Sequence, residues 1–222
     1  MISFLNVTFG YHNKEIFENV NLEIKKGEFA FLVGESGIGK TTFLKLIHFE
    51  LMPKSGSVNF DIYNSSDIDK TEIPFLRRKI GVVFQDFKLL NDRNIFENIA
   101  VPLYITGEKK EVIKKKVFDI SSKLGLIDHM KDMPYDISGG EQQRVAIARA
   151  MIMEPVLLLA DEPTGNLDPF VALDIIRLLN DINKAGTTMV IATHNFEIVK
   201  KFSDKRILQI KEKNLVDVRV KA

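Results

Sequence analysis

Apolar and polar residues alternate through the opening of the chain: Ile2 and Phe4, then Val7 and Phe9, then Val20, Leu22 and Ile24. A period of two turns one side of an extended segment towards a core, and it predicts short strands here. Phe29 to Val33 is instead a continuous apolar run that stops at Gly34, as expected of a strand covered on both faces. From Lys40 the spacing of Phe43, Leu44 and Ile47 is helical, and Pro53 with Gly56 closes that element. Ile80 to Phe84 reads as another apolar strand. Between about Phe87 and Met153 no strand pattern appears, and Val112, Ile113, Val117, Ile120 and Leu124 recur at helical spacing. The lysines interleaved there (Lys109, Lys110, Lys114, Lys115, Lys116) form a solvated helix face.

The last third alternates between the two periods. Val156 to Ala160 is a strand, Val171 to Leu179 a helix and Thr188 to Ala192 a strand; Asn195 to Lys201 is a short helix, and Ile207 to Ile210 begins a final strand. Strands alternating with helices predict an α/β domain with a parallel sheet, whose ligands sit beyond the carboxyl ends of the strands. No internal repeat or Pro/Gly/Ser-rich linker divides the 222 residues. A net charge of +1 argues against nucleic acid as a partner. The absence of cysteine excludes disulfides, thiolate zinc sites and cysteine nucleophiles. No uncharged apolar run approaches the ~20 residues of a membrane span. The first residues also lack the features of a signal peptide, so a cytosolic chain is expected, with any membrane link made through a partner.

Three motifs carry chemistry. Residues 34 to 41 read G-E-S-G-I-G-K-T and satisfy G-x-x-x-x-G-K-[ST] after a predicted strand and before a predicted helix. Gly34, Gly37 and Gly39 permit backbone angles closed to other residues, so amide groups can turn inward around an anion at the helix N-terminus. Lys40 then reaches the β- and γ-phosphates, and Thr41 offers its hydroxyl to Mg²⁺. The strand ending at Ala160 delivers Asp161 and Glu162 to the same sheet edge. Asp161 suits the Mg²⁺ shell, and Glu162 is placed to orient or deprotonate a water. Finally, Ser138-Gly139-Gly140-Glu141 precedes a helical run from Val145 to Met151, a further helix N-terminus able to bind a phosphate.

With this third motif the chain resembles the ATP-binding-cassette (ABC) ATPases, whose signature is L-S-G-G-Q. Ile137 stands where leucine is usual and Glu141 where glutamine is, a variant familiar in bacterial export-type members. The resemblance implies a P-loop fold: a RecA-like core with an N-terminal antiparallel β subdomain and a helical subdomain. It implies one domain over 1–222, with 1–86 and 155–222 as nucleotide-binding core and 87–154 as the helical lobe. ATP and Mg²⁺ are the implied cofactors. Residues Gly34, Glu35, Ser36, Gly37, Ile38, Gly39, Lys40, Thr41 and Thr42 would hold the nucleotide, with Tyr11 stacked on adenine. Gln85 would touch Mg²⁺ and the attacking water, and His194 the γ-phosphate. Gly165-Asn166-Leu167-Asp168 matches the D-loop, with Gly-Asn where Ser-Ala is frequent. In such a family Ser138, Gly139, Gly140 and Glu141 complete the site of a second subunit, so a homodimer on ATP binding is implied. His12, His48 and His129 have no such context and receive no role.

Residues 84 to 103, F-Q-D-F-K-L-L-N-D-R-N-I-F-E-N-I-A-V-P-L, resemble the FtsE group of cell-division cassettes. Asp92 and Arg93 are usually lacking in the lipoprotein-release and macrolide-export groups, which share Glu141 and A-D-E-P-T-G-N-L-D. That resemblance implies a polytopic membrane partner like FtsX, a location on the cytoplasmic face of the cell membrane through it, and control of septal peptidoglycan hydrolysis. The lipoprotein or macrolide groups remain the alternative, followed by a soluble cassette acting on DNA or ribosomes. Phe87, Leu89, Leu90, Ile95 and Phe96 crowd the segment where cassettes receive such a partner. Some are expected inside the helical lobe and the rest in a docking groove.

Overall fold

The computed structural model describes residues 1–12 and 14–218. In chain order the strands and helices are β1 (Ile2–Tyr11), β2 (Lys14–Ile24), β3 (Phe29–Val33), α1 (Lys40–Ile47), β4 (Ser55–Phe60), β5 (Tyr63–Asn64), α2 (Ile73–Arg78) and β6 (Ile80–Val83). There follow α3 (Ile95–Ile105), α4 (Lys110–Leu124), α5 (Gly139–Met151), β7 (Leu157–Asp161), α6 (Pro169–Lys184), β8 (Thr188–Thr193), α7 (Phe196–Lys200), β9 (Arg206–Lys211) and β10 (Asn214–Val218). One sheet is antiparallel with order β2-β1-β4-β5; the other runs β10-β9-β3-β8-β7-β6 and is parallel except at its β10 edge.

The parallel sheet separates two cores, and successive residues of its strands point into different ones. Phe29, Phe31 and Val33 pack with α3–α6, whereas Ala30 and Leu32 pack with α1 and the antiparallel sheet. Met189 and Ile191 take the first side, Val190 and Ala192 the second. This two-sided burial is why β3, β7 and β8 are continuous apolar runs. On α4 the buried residues are Ile113, Val117, Ser121 and Leu124, at spacings of four, four and three, and Lys110, Lys114 and Lys115 are exposed.

Several elements escape pattern reading. Gly56 does not merely close the first helix; it lies within β4, where an added Cβ would come 2.3 Å from the Asn6 carbonyl oxygen on β1. The sheet edge β10 follows a two-residue turn at Glu212 and Lys213, both with positive φ (49° and 63°). That left-handed pair matches the twist of a hairpin but normally calls for Asn-Gly or Asp-Gly.

α3 is launched by a capping box in which Asn94 and Glu97 satisfy each other's backbone. One turn on, the buried Asn98 amide donates to the carbonyls of Leu90, Arg93 and Asn94, while its oxygen accepts the Leu90 N–H. These bonds pin the loop between β6 and the helices.

Candidate active site

The strand order decides what meets at the carboxyl edge of the parallel sheet. β3, β8 and β7 are neighbours, so the loop after β3, the residue after β8 and the end of β7 converge there. β8 lies between the two motif-bearing strands and brings His194 with it. Gln85 arrives just beyond β6, at the sheet's end. The resulting cleft, about 390 Å³, is lined by Tyr11, Lys14, Ile16, Ser36, Gly37, Gly39, Lys40, Thr41, Thr42, Gln85, Asp161, Glu162 and His194.

The loop before α1 has the expected shape. Gly37 and Gly39 stand at φ 77° and 124°, and a Cβ on Gly39 would meet the Ile16 side chain at 2.5 Å. Gly34 corrects the initial expectation, because its φ is not positive; glycine there makes room for Ile38, which a Cβ would approach at 2.8 Å. The Lys40 ammonium is buried and donates to the carbonyls of Gly34 (2.8 Å) and Glu35 (3.0 Å). It also pairs with Glu162 Oε1 at 3.3 Å. The Glu35 and Ile38 side chains do not line the cleft.

Glu162 adopts the left-handed region with φ 47°, a strained conformation for a residue with a Cβ, and its N–H is tied to the Ala192 carbonyl. Its carboxylate is held from two sides: Oε1 lies 2.9 Å from His194 Nδ1, and Oε2 accepts the His194 backbone N–H at 3.2 Å. Beside it, the Thr41 hydroxyl donates to Asp161 Oδ2 at 2.6 Å. Burial pushes the Asp161 carboxyl above the usual range and the Glu162 charge adds to that, while the Thr41 hydrogen bond works against it. This edge therefore gathers oxygen donors in an environment that favours a neutralising cation. Among the described residues no three acidic or histidine side chains form a cage of their own. A hard cation would take part of its shell from a nucleotide's phosphates, as Mg²⁺ commonly does.

Tyr11 lies at the mouth, 44% exposed, its hydroxyl 3.3 Å from that of Thr42. The Gln85 side chain folds against Gly165, where an added Cβ would sit 3.1 Å from its amide nitrogen. Asn166 donates to the Gln85 carbonyl at 3.0 Å, so the two loops are linked, and Asp168 caps α6 by accepting from Phe170 and Val171 N–H. Ser138, Gly139, Gly140 and Glu141 do not line the cleft. They open α5 against α6, with so little space that a Cβ on Gly140 would lie 2.6 Å from Val171.

Sequence reasoning missed Lys14 and Ile16 in the cleft wall, because neither belongs to a contiguous motif. It also missed Arg149, whose guanidinium donates to the carbonyls of Phe87 and Lys88, both at 2.7 Å and both in residues with positive φ. Phe87 does not line the apolar groove that Phe84, Lys88 and Leu90 help to form.

Residues 17–165 match the ABC transporter family. The chain belongs to that family. Over 213 residues, 96% of this ABC cassette and 93% of the relative, it is 44% identical to the cell division ATP-binding protein FtsE of Bacillus subtilis. It is 46% identical to the FtsE of Streptococcus pneumoniae over 180 residues, 81% and 78% of the two chains. The dimeric post-hydrolysis structure of the ATP-binding cassette MJ0796, bound to ADP and Pi, superposes with a TM-score of 0.86, covering 100% of both chains at 33% identity. The cassette binds ATP and hydrolyses it.

Proposed function

We propose that this cassette is the ATPase of a cell-division complex, driving an FtsX-like polytopic membrane protein from the cytoplasmic face of the cell membrane and so regulating septal peptidoglycan hydrolysis. The 44% identity with a cell-division protein over nearly the whole of both chains carries this reading. In it, residues 1–86 with 155–222 form the nucleotide-binding core, and 87–154 form the lobe that meets the partners.

The geometry of the cleft supports the catalytic roles proposed for its residues. Lys40 is held by Glu162 and two loop carbonyls; a triphosphate entering the loop offers it stronger charge-assisted partners and frees the carboxylate. Glu162 can then accept a proton from water, with His194 keeping it oriented and facing the γ-phosphate. Thr41, Asp161 and Gln85 would hold Mg²⁺, which supplies charge neutralisation at the phosphates when bound. The exposed Tyr11 ring offers a face for adenine. Ser138, Gly139, Gly140 and Glu141 would close over the nucleotide of a second copy. The D-loop beside them (Asn166, Asp168) leads into Phe170, whose apolar ring is 84% exposed and suits a protein contact.

A groove of about 640 Å³ on another face suits the membrane partner. Its apolar wall includes Phe84, Leu90, Val101, Ile105 and Met153, and its rim carries Arg77, Arg78 and Lys88. A second cavity, about 290 Å³, is lined by Phe84 and Lys88 from this side and by Thr41 and Asp161 from the nucleotide side. Nucleotide state and groove shape therefore have a physical route to each other. Ile105 is 76% exposed and Leu90 41%, so Leu90→Glu or Ile105→Glu leaves the core intact. Each variant should keep ATPase activity within about twofold in the isolated protein. In cells each should lose co-purification with a polytopic membrane protein and cause filamentation or failed separation. Normal division with lost drug resistance or misplaced lipoproteins would move the assignment to the export groups.

A further inference from the structure

α5 has thirteen residues and begins at the S-G-G-E motif, where unpaired N–H groups favour an anion. That terminus already contains one. Glu141 Oε2 accepts both the Ser138 N–H (2.8 Å) and the Ser138 hydroxyl (2.7 Å). A serine hydroxyl has one proton to give, so the side chain expected to greet a phosphate donates instead to a carboxylate, whose charge also repels phosphate.

The other carboxylate oxygen shows how this is managed. His129, at the end of the short turn Ile127–His129, places Nε2 3.1 Å from Glu141 Oε1 and Nδ1 2.8 Å from Asp132 Oδ2. A neutral imidazole has one N–H and one lone pair, so it can satisfy only one of two carboxylates. With both nitrogens facing carboxylate oxygens, the geometry calls for the imidazolium. We propose that His129 is the positioning residue of this motif: it holds the Glu141 carboxylate by Oε1 and cancels its charge, letting Ser138 turn its hydroxyl to the γ-phosphate of ATP bound by a second copy. This rests on the composite-site reading above.

The titratable surroundings agree. The Asp132 hydrogen bond raises the His129 pKa above its usual value, and the Glu141, Asp132 and Asp128 charges act in the same sense against desolvation. The Ser138 hydrogen bonds lower that of Glu141, with His129 and Arg144 adding to the effect. A histidine with a raised pKa supplies its charge at low pH and loses it as pH rises through that raised value. Both side chains are about one-third exposed (31% and 33%), so solvent protons reach them.

The test uses the full chain carrying Glu162→Gln, with ATP-driven dimerisation followed by sedimentation velocity between about pH 6 and about pH 8.5. The ATP concentration at half-dimerisation should rise roughly three- to tenfold with pH in this parent. His129→Lys, with a fixed charge, should remove the rise, and His129→Gln should be weak at every pH. Adding Glu141→Gln to His129→Gln should restore tight, pH-independent dimerisation, because no carboxylate then needs neutralising. Every other pH-dependent group is common to all the variants, so the differences isolate His129. If His129→Gln misfolds by its melting profile, His129→Lys and Glu141→Gln still decide the matter, since each must flatten the profile. The inference is overturned if these variants keep the parent's profile, or if Glu141→Gln fails to rescue. A parent that forms no ATP dimer, or one indifferent to Ser138→Glu, would instead remove the composite-site reading and the inference with it.

Discussion

Lys40 is buried between two carbonyls and one carboxylate, so its charge is compensated before any nucleotide arrives. Removing the two members of that pair should have different consequences. Lys40→Ala deletes the cation proposed to meet the phosphates and leaves Glu162 without its buried partner. ATP affinity should fall by roughly a hundredfold, in line with the ~2–5 kcal/mol lost when one member of a buried charge pair is removed. Glu162→Gln keeps the shape and the bond to His194 but cannot accept a proton. Nucleotide binding should persist while hydrolysis drops by about 10² to 10⁴. Titration with a fluorescent ATP analogue beside a phosphate-release assay separates the two. Equal loss of binding in both variants would show that Glu162 serves only to hold the loop.

At the scale of elements, α2 braces α1 beside the groove. The Arg77 guanidinium donates to the carbonyls of His48 and Phe49 just past the end of α1, satisfying acceptors that a helix terminus leaves open. Burial depresses the His48 pKa to about 4 and the Arg77 charge contributes, with Glu50 opposing. A histidine whose folded pKa lies below its unfolded value supports the fold above about pH 6.5 and withdraws that support as pH falls towards 4. His48→Gln should therefore flatten the acid limb of stability. His48 is half-buried, so about 1 kcal/mol is expected rather than the full titration energy. That is a melting point about 2–4 °C higher than the parent's near pH 4.5. Thermal melts at that pH and at neutral pH provide the check, and a parallel shift at both would assign the effect to packing.

For the whole molecule the question is how many copies make one site. The S-G-G-E helix terminus does not line the cleft of its own chain, and in the dimer reading it serves the neighbour's. Ser138 is exposed, so Ser138→Glu disturbs no packing while repelling a phosphate. Mixed with Lys40→Ala, it should yield mixed dimers with one doubly damaged and one intact site. If a single intact site suffices, about a quarter of the parent ATPase activity should return, because half the dimers are mixed and each has one working site. Activity that never exceeds the sum of the two separate variants would show that both sites must fire together or that the sites are not shared.

Contiguous chemistry was legible along the chain. The phosphate loop lies within eight residues, and the carboxylates follow an apolar strand, so backbone propensity and motif spacing alone announced them. The same holds for β3, β7 and β8, since burial on both faces forces an unbroken apolar run. Tertiary structure alone decided that β8 sits between β3 and β7, which brings the Thr41 hydroxyl to Asp161 across 120 positions and His194 onto Glu162. It alone placed His129 on Glu141 and Arg149 on the carbonyls of Phe87 and Lys88. β4 and β10 likewise depend on it: Gly56 is demanded by the approach of another strand, and Glu212-Lys213 holds a hairpin turn without the residues that advertise one. The division has a physical cause. Local pattern records which side of an element meets a core, whereas pairings between distant residues are set by strand order, register and helix packing, to which no single stretch of sequence is sensitive.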